Sequence, residues 1–329
     1  MGGDFGPRYI IPAVARSLEQ IPALKVMLVG SPEPMTGLCR THQLPADRVR
    51  FIHTSETILA DDAPASVLRN KRDASMRVAI ELVRDGQADG CLSAGNTGAM
   101  MVLAKALLGT VEGIQRPAIM AALPVAGRAC HVLDLGANVD CTARQLFEFA
   151  VMGSEAVAEL TGIGQPRVGL LNIGSEINKG SLRVREVSEL LRDTPSLNYI
   201  GHVEGNELFL GKADVVVCDG FVGNVMLKAS EGLVDYMHSE VRRALAGNRL
   251  LRLFGPLLRR SLRPMEERLN PQQYNGVCLL GLQGVVVKSH GNASSAAFEA
   301  AIQQAVSACR SDMPQRIAAR LARCRGELL

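Results

Sequence analysis

The stretch Ala213-Asp-Val-Val-Val-Cys-Asp-Gly-Phe-Val-Gly-Asn-Val-Met-Leu-Lys-Ala-Ser-Glu-Gly232 constrains this chain more than any other. Ala213 to Cys218 is a short apolar run rich in β-branched residues, which predicts a strand buried on both faces. Asp219 to Asn224 carries turn chemistry, and a helical pattern begins at Val225. Gly220 and Gly223 leave the backbone bare where free N–H groups point out of a helix N-terminus, a geometry that suits an anion.

Four other stretches repeat this strand, polar turn and helix. Gly90 to Ala99 turns through Gly95 and Asn96, with Ser93 before them and Thr97 after, and His131 to Asn138 turns through Gly136 and Asn138. Val168 to Gly180 contributes Asn172, Gly174, Ser175 and Lys179, and Gly284 to Ala293 contributes Lys288, Ser289, His290, Gly291 and Asn292. Turns leaving the carboxyl ends of parallel strands gather along one edge of an open α/β sheet, where ligands bind. One such turn needs no more than the left-handed geometry that Gly and Asn supply. Five together predict one shared cleft, and with it an enzyme.

The remaining segments follow the same rhythm. Met1 to Asp4 is a glycine turn leading into a helix from Pro7 to Leu18, as if a strand–turn–helix unit had lost its strand. On that pattern Met1 is expected to be internal to a longer natural chain. Leu24 to Gly30 and Val49 to His53 are predicted strands, and Pro32, Pro34 and Gly37 mark a loop. Ser66 to Val83 has helical periodicity and carries Arg69 and Lys71, which suit either a solvated face or a phosphate. Between Leu233 and Gln273 no strand is predicted. Leu250, Phe254, Leu258, Leu262, Met265 and Leu269 form an apolar stripe beside five arginines, broken by Pro256 and Pro264. A helical protrusion is expected there, suited to a membrane surface, a subunit interface or an acidic partner. No linker divides the chain, so residues 1–329 are expected to form a single α/β domain with a helical excursion at about 233–273.

Composition removes several function classes. Aromatic residues make up 4% with no Trp, and the net charge is +3, so a nucleic-acid partner is not expected. The eight cysteines form no CxxC pair and sit mainly in apolar runs, which predicts buried free thiols and a cytoplasmic protein. Neither GxGxxG after a strand nor GxxxxGK[ST] occurs, and HExxH and GxSxG are also absent. No metal or other cofactor is therefore expected. What remains for chemistry is glycine, asparagine, lysine and arginine at turns, with His290 suited equally to a structural hydrogen bond or to carrying a proton.

At these turns the sequence resembles the bacterial acyl-acyl carrier protein:phosphate acyltransferase family, PlsX. The resemblance rests on Met1-Gly-Gly-Asp4, Ser93-Ala-Gly-Asn-Thr-Gly-Ala99, Leu133-Asp-Leu-Gly-Ala-Asn138, Leu171-Asn-Ile-Gly174 with Lys179-Gly180, Asp219-Gly-Phe-Val-Gly-Asn224 and Lys288-Ser-His-Gly291. These motifs run in family order across essentially the whole chain, although the apolar strand ending in Asp-Ala that usually precedes Met-Gly-Gly-Asp is not part of the sequence. The resemblance implies a three-layer α/β/α fold with one mixed sheet, similar to isocitrate and isopropylmalate dehydrogenases and phosphotransacetylase, and a homodimer. It implies transfer of a fatty acyl group from acyl carrier protein thioester to inorganic phosphate, giving acyl phosphate for phospholipid synthesis. A downstream acyltransferase using acyl phosphate, and peripheral contact with the inner face of the membrane, follow from the same likeness. Two alternatives are a phosphotransacetylase-like enzyme acting on acyl-coenzyme A and a non-catalytic sensor of carrier protein or lipid.

The chemistry suits these residues. Phosphate is largely ionised near neutral pH and a thiolate leaves readily, its pKa being roughly 8.5. The protein must then offset charge repulsion and stabilise an oxyanion. On this reading Lys179 neutralises phosphate or oxyanion and Asn224 donates to the thioester carbonyl, with His290 completing the catalytic set. Ser93, Gly95, Asn96, Thr97, Asn138, Gly174, Gly223, Lys288, Arg69 and Asp4 are the expected substrate-binding positions.

Overall fold

A computed structural model of the chain describes residues 2–125, 128–247 and 275–327. The chain opens with α1 (Pro7–Gln20), β1 (Val26–Gly30), α2 (Pro32–Thr41), β2 (Val49–His53), α3 (Pro64–Asn70) and α4 (Ser75–Arg84). It continues through β3 (Gly90–Ser93), α5 (Thr97–Leu108), β4 (Ala118–Val125), β5 (Arg128–Leu133), α6 (Ala143–Thr161), β6 (Arg167–Leu171) and α7 (Leu182–Arg192). Then come β7 (Asn198–Val203), a 3-10 turn (Gly205–Leu210), β8 (Val215–Val217) and α8 (Gly220–Gly247). The chain closes with β9 (Val277–Leu280), β10 (Val285–Lys288), α9 (Ser295–Arg310) and α10 (Met313–Glu327). The stretch from Arg249 to Leu269, where the protrusion is expected, lies outside the described residues.

An eight-stranded mixed sheet in the order β3-β10-β9-β4-β5-β8-β6-β7 forms the middle of a three-layer α/β/α fold. The period of two along each strand builds the layers. Val215 and Val217 of β8 enter a cluster with α6, α7 and α10, whereas Val216 enters another with α4 and α5. All three valines have 0% exposure, as the run of β-branched residues predicts. A separate pair, β1 with β2, packs with α1, α2 and α9 through Ile11, Leu28, Met35 and Phe298. Among the described residues β1 pairs only with β2 and β3 only with β10. A groove of about 710 Å³ lies between β1 and β3, and Gly2 lines it.

Three local expectations fail for physical reasons. Pro32 and Pro34 lie in the first turn of α2 rather than in a loop; helix N–H groups there have no intrahelical acceptor, so their loss costs little. The Ser66–Val83 pattern splits into α3 and α4 around Asp73. That carboxylate accepts from the Ser55 N–H and hydroxyl at 2.7 and 2.6 Å, and Ala74 bridges to Glu56. Helix α8 starts at Gly220 instead of Val225, because Asp219 accepts the Val222 N–H at 2.8 Å and nucleates the first turn.

Strand direction corrects the expectation of one shared edge. β3 and β10 are parallel, but the β10–β9, β9–β4 and β4–β5 pairings are all antiparallel. β5, β8, β6 and β7 are again mutually parallel. Three reversals leave the turns after β3 and β10 pointing opposite to those after β5, β8 and β6. The glycine-bearing turns therefore form two sets.

Candidate active site

The first set joins the N-terminal turn to the ends of β3 and β10. Lys288 and Ser93 are register partners, and the Ser289 N–H donates to the Ser93 carbonyl at 2.9 Å. Asp4 donates its N–H to the Gly291 carbonyl at 2.8 Å, while Gly95 donates to the Ser93 hydroxyl at 3.2 Å. Asn275 braces the second turn, donating to the Ser289 hydroxyl at 2.8 Å and accepting the His290 N–H at 2.9 Å. Asn96 is the N-cap of α5. Its Oδ1 accepts from Ala99 at 3.0 Å and its Nδ2 donates to the Ala60 carbonyl at 2.9 Å. Asn96 thus shapes the turn, and Thr97 stands exposed at the start of the helix.

Lys288 is the charged group this set does not neutralise. Its side chain is 8% exposed and donates to the Ser289 carbonyl. Among the described residues no carboxylate lies within ion-pair distance, and Asp4 acts on it only from further away. Burial pushes its pKa down to about 8, against the pull of Asp4. It therefore remains mainly a cation at neutral pH.

The second set gathers the turns after β5, β6 and β8 around Asp134. This carboxylate, with 0% exposure, accepts from Ile119 and Ala137 at 3.0 and 3.1 Å and from the Asn138 N–H and Nδ2 at 2.6 and 2.9 Å. Burial raises its pKa, and these four donors oppose the rise. Asn138 spends its second amide hydrogen on the Pro117 carbonyl at 2.8 Å, so its amide builds the wall of the site and has no donor left for a ligand. Gly220 donates to the Asn138 carbonyl at 2.8 Å, and Gly223 brings α8 so close that a Cβ there would overlap the Asp134 carbonyl oxygen. Gly136, at φ 123°, faces Asn224.

Lys179 is exposed on the turn after β6. Its N–H donates to the Glu176 carbonyl at 3.1 Å, and Asn172 Nδ2 donates to its carbonyl at 3.2 Å. Buried Gly174 gives this turn room, since a Cβ there would press on Glu176 and Lys179.

Helix α8 connects the two sets. Asn224, Lys228 and Glu231 recur at helical spacing on one face. Asn224 meets Gly136 at one end, and Glu231 lies 3.6 Å from His290 Nε2 at the other. Lys228 binds Glu231 at 2.8 Å between them. Seven residues of helix put the two ends about 10 Å apart. Burial pushes the His290 pKa below the ordinary imidazole value, opposed by Glu231. Arg69 has no hydrogen bond or ion pair to either set among the described residues: it is exposed near the end of α3, whose other end, at Pro64, lies against Gly98 at the start of α5. Sequence reading missed Lys228 and Glu231, although their spacing from Asn224 was available as a signal. It also missed Asp134 as the organiser of the second set.

The thiols are inert. Burial raises Cys91 and Cys130 to about 12 and Cys278 to about 11, which leaves none of the three as a thiolate nucleophile. The arrangement leaves the exposed Lys179 and Asn224 and the buried Lys288 as a set of cations and an amide donor, groups of the kind that acyl transfer through an oxyanion requires.

Comparison with known proteins agrees with this chemistry. Residues 1–316 match the family model described as fatty acid synthesis protein. A phosphate acyltransferase of Pseudomonas syringae pv. syringae (strain B728a) is 50% identical over 322 residues, covering 98% of this chain and 94% of the relative. One from Alkalilimnicola ehrlichii is 49% identical over the same shares of both chains. Among solved structures, a phosphotransacetylase from Streptococcus pyogenes superposes with a TM-score of 0.64 at 18% identity, covering 93% of this chain and 92% of its own, a likeness of fold.

Proposed function

The chain belongs to the fatty acid synthesis protein family, whose relatives above are phosphate acyltransferases, and from this premise we propose that it moves a fatty acyl group from acyl carrier protein thioester to inorganic phosphate. A phosphate oxygen attacks the thioester carbonyl carbon, the oxyanion collapses, and the C–S bond breaks with thiolate as leaving group. The acyl phosphate product then supplies phospholipid synthesis. Lys179 and Asn224 serve the thioester carbonyl and its oxyanion. Phosphate occupies the side of Lys288, Ser93 and the bare turn at Gly95. His290 and Lys228 border the cleft between.

The observation that carries the phosphate side is Lys288, a buried cation without a carboxylate partner among the described residues. A pKa depressed by burial means that the cost of charging it is fully present below about pH 8 and fades as pH rises from there towards 10.5. Shifts of this size correspond to on the order of 3 kcal/mol. Lys288→Met is therefore expected to be at least as stable as the parent at pH 7, yet to raise KM for phosphate by about tenfold or more, the loss of a charge-assisted hydrogen bond. Phosphate KM of the parent is expected to rise as pH passes about 8 and the lysine discharges. Unchanged phosphate KM in Lys288→Met would remove the lysine from the phosphate site.

The whole reading is tested by incubating the protein and phosphate with acyl carrier protein thioester or acyl-coenzyme A, and detecting acyl phosphate. Product from the carrier-protein thioester in preference to coenzyme A is expected. Equal or preferred use of coenzyme A would make the protein phosphotransacetylase-like. A homodimer and peripheral contact with the membrane surface belong to the same proposal, and are tested by sedimentation and by flotation with anionic vesicles. The exposed Phe221, Val225, Leu233, Tyr236 and Met237 on one stripe of α8 favour an apolar partner such as a second copy.

A further inference from the structure

The turn that carries Lys179 is held from the neighbouring strand. His202 on β7 is the register partner of Leu170 on β6 and is 5% exposed. Its Nδ1 lies 3.1 Å from Asn172 Nδ2, at the start of the Lys179 turn. The other hydrogen of that amide goes to the Lys179 carbonyl at 3.2 Å. Nδ1 also lies 3.3 Å from the Glu176 carbonyl, but the amide contact is the shorter, and the bond to the Lys179 carbonyl fixes that amide as a donor. Only an unprotonated Nδ1 accepts from an amide, so the proton of the ring is assigned to Nε2. That buried nitrogen has no partner among the described residues. A buried, unpaired polar atom is unfavourable, and an apolar side chain would hold β7 in place without it. What the imidazole adds is an acceptor that fixes the Asn172 amide. Gly180, at φ 90°, completes the fit, because a Cβ there would overlap Asn172 Oδ1.

We propose that His202 is a positioning residue for Lys179, acting through the side-chain amide of Asn172. The proposal rests on the reading that Lys179 serves the reaction. With Nδ1 removed, Asn172 is free to rotate and the carbonyl of Lys179 loses its tether, so the ammonium samples positions away from the oxyanion. A misplacement of about 1 Å costs about a hundredfold in such a site.

The test is a double-mutant cycle with steady-state kinetics and thermal melting. His202→Leu is expected to lower kcat by about ten- to a hundredfold with little change in thioester KM. His202→Asn, whose Oδ1 hangs from Cγ as Nδ1 does, should recover most of the rate. In a Lys179→Ala background, His202→Leu should cost nothing further, because it acts only through the missing lysine. Should His202→Leu not fold, Asn172→Ala breaks the same link from the other end. Full activity of His202→Leu beside an inactive Lys179→Ala would overturn the positioning role alone, as would equal losses in both backgrounds or no recovery by His202→Asn. Near-normal turnover by Lys179→Ala would sink the catalytic reading and this proposal with it.

Discussion

Lys179→Ala and Asn224→Ala are each expected to lower kcat by about a hundred- to a thousandfold, the usual effect of removing one preorganised donor from an oxyanion site. Both variants should melt near the parent temperature. Lys179 is exposed, so truncating it opens no cavity. Asn224 lies within α8, where alanine has a higher helix propensity than asparagine. This placement also removes the competing idea that Asn224 merely sets a turn, because the residue is helical. Asn224→Gly separates the contributions further: it should share the kinetic loss of Asn224→Ala and add a stability loss of about 1 kcal/mol for glycine in a helix. Turnover by Asn224→Ala within a few-fold of the parent would take Asn224 out of the chemistry, and the same result for Lys179→Ala would remove the lysine.

The two sides of the cleft were legible to different degrees. The run Val215 to Val217 announced a strand buried on both faces, because its apolar character leaves no face for water. The turn residues were legible as a class, since bare backbone and asparagine have few other uses at strand ends. Their individual roles were not. Asn96 and Asn138 have the composition of ligand-binding residues, yet their amides are consumed by Ala60, Ala99, Pro117 and Asp134, partners brought together only by the fold. Strand direction was equally hidden. Whether β5 follows β4 by reversal depends on pairing across the sheet, and no periodicity along one strand encodes its neighbour's sense. Asn172 was legible as a turn residue, but its link to His202 had no local signature, because it joins positions 30 residues apart on neighbouring strand-and-turn units.

Gly223→Ala is expected to damage the site through its frame. In a helix interior, glycine to alanine normally stabilises by about 1 kcal/mol. Gly232, also on α8, should show that gain, because a Cβ there would meet no atom within 4 Å. At Gly223 the added methyl would overlap the Asp134 carbonyl oxygen and press on Cys218 Sγ at 3.0 Å. The carbonyl is backbone, held by the turn whose Asp134 carboxylate accepts four N–H groups, so it has no rotamer by which to yield. Either α8 lifts away or the Asp134–Asn138 turn distorts. Overpacking of this kind costs about 1–3 kcal/mol and occasionally more, which exceeds the helical gain. Lifting α8 also carries Asn224 away from Gly136, so kcat should fall with stability. The expected pattern is a lower melting temperature and low turnover for Gly223→Ala, against a raised melting temperature and normal turnover for Gly232→Ala. Parent-like melting and turnover in Gly223→Ala would show that the close approach of α8 to Asp134 is not needed to set the cleft.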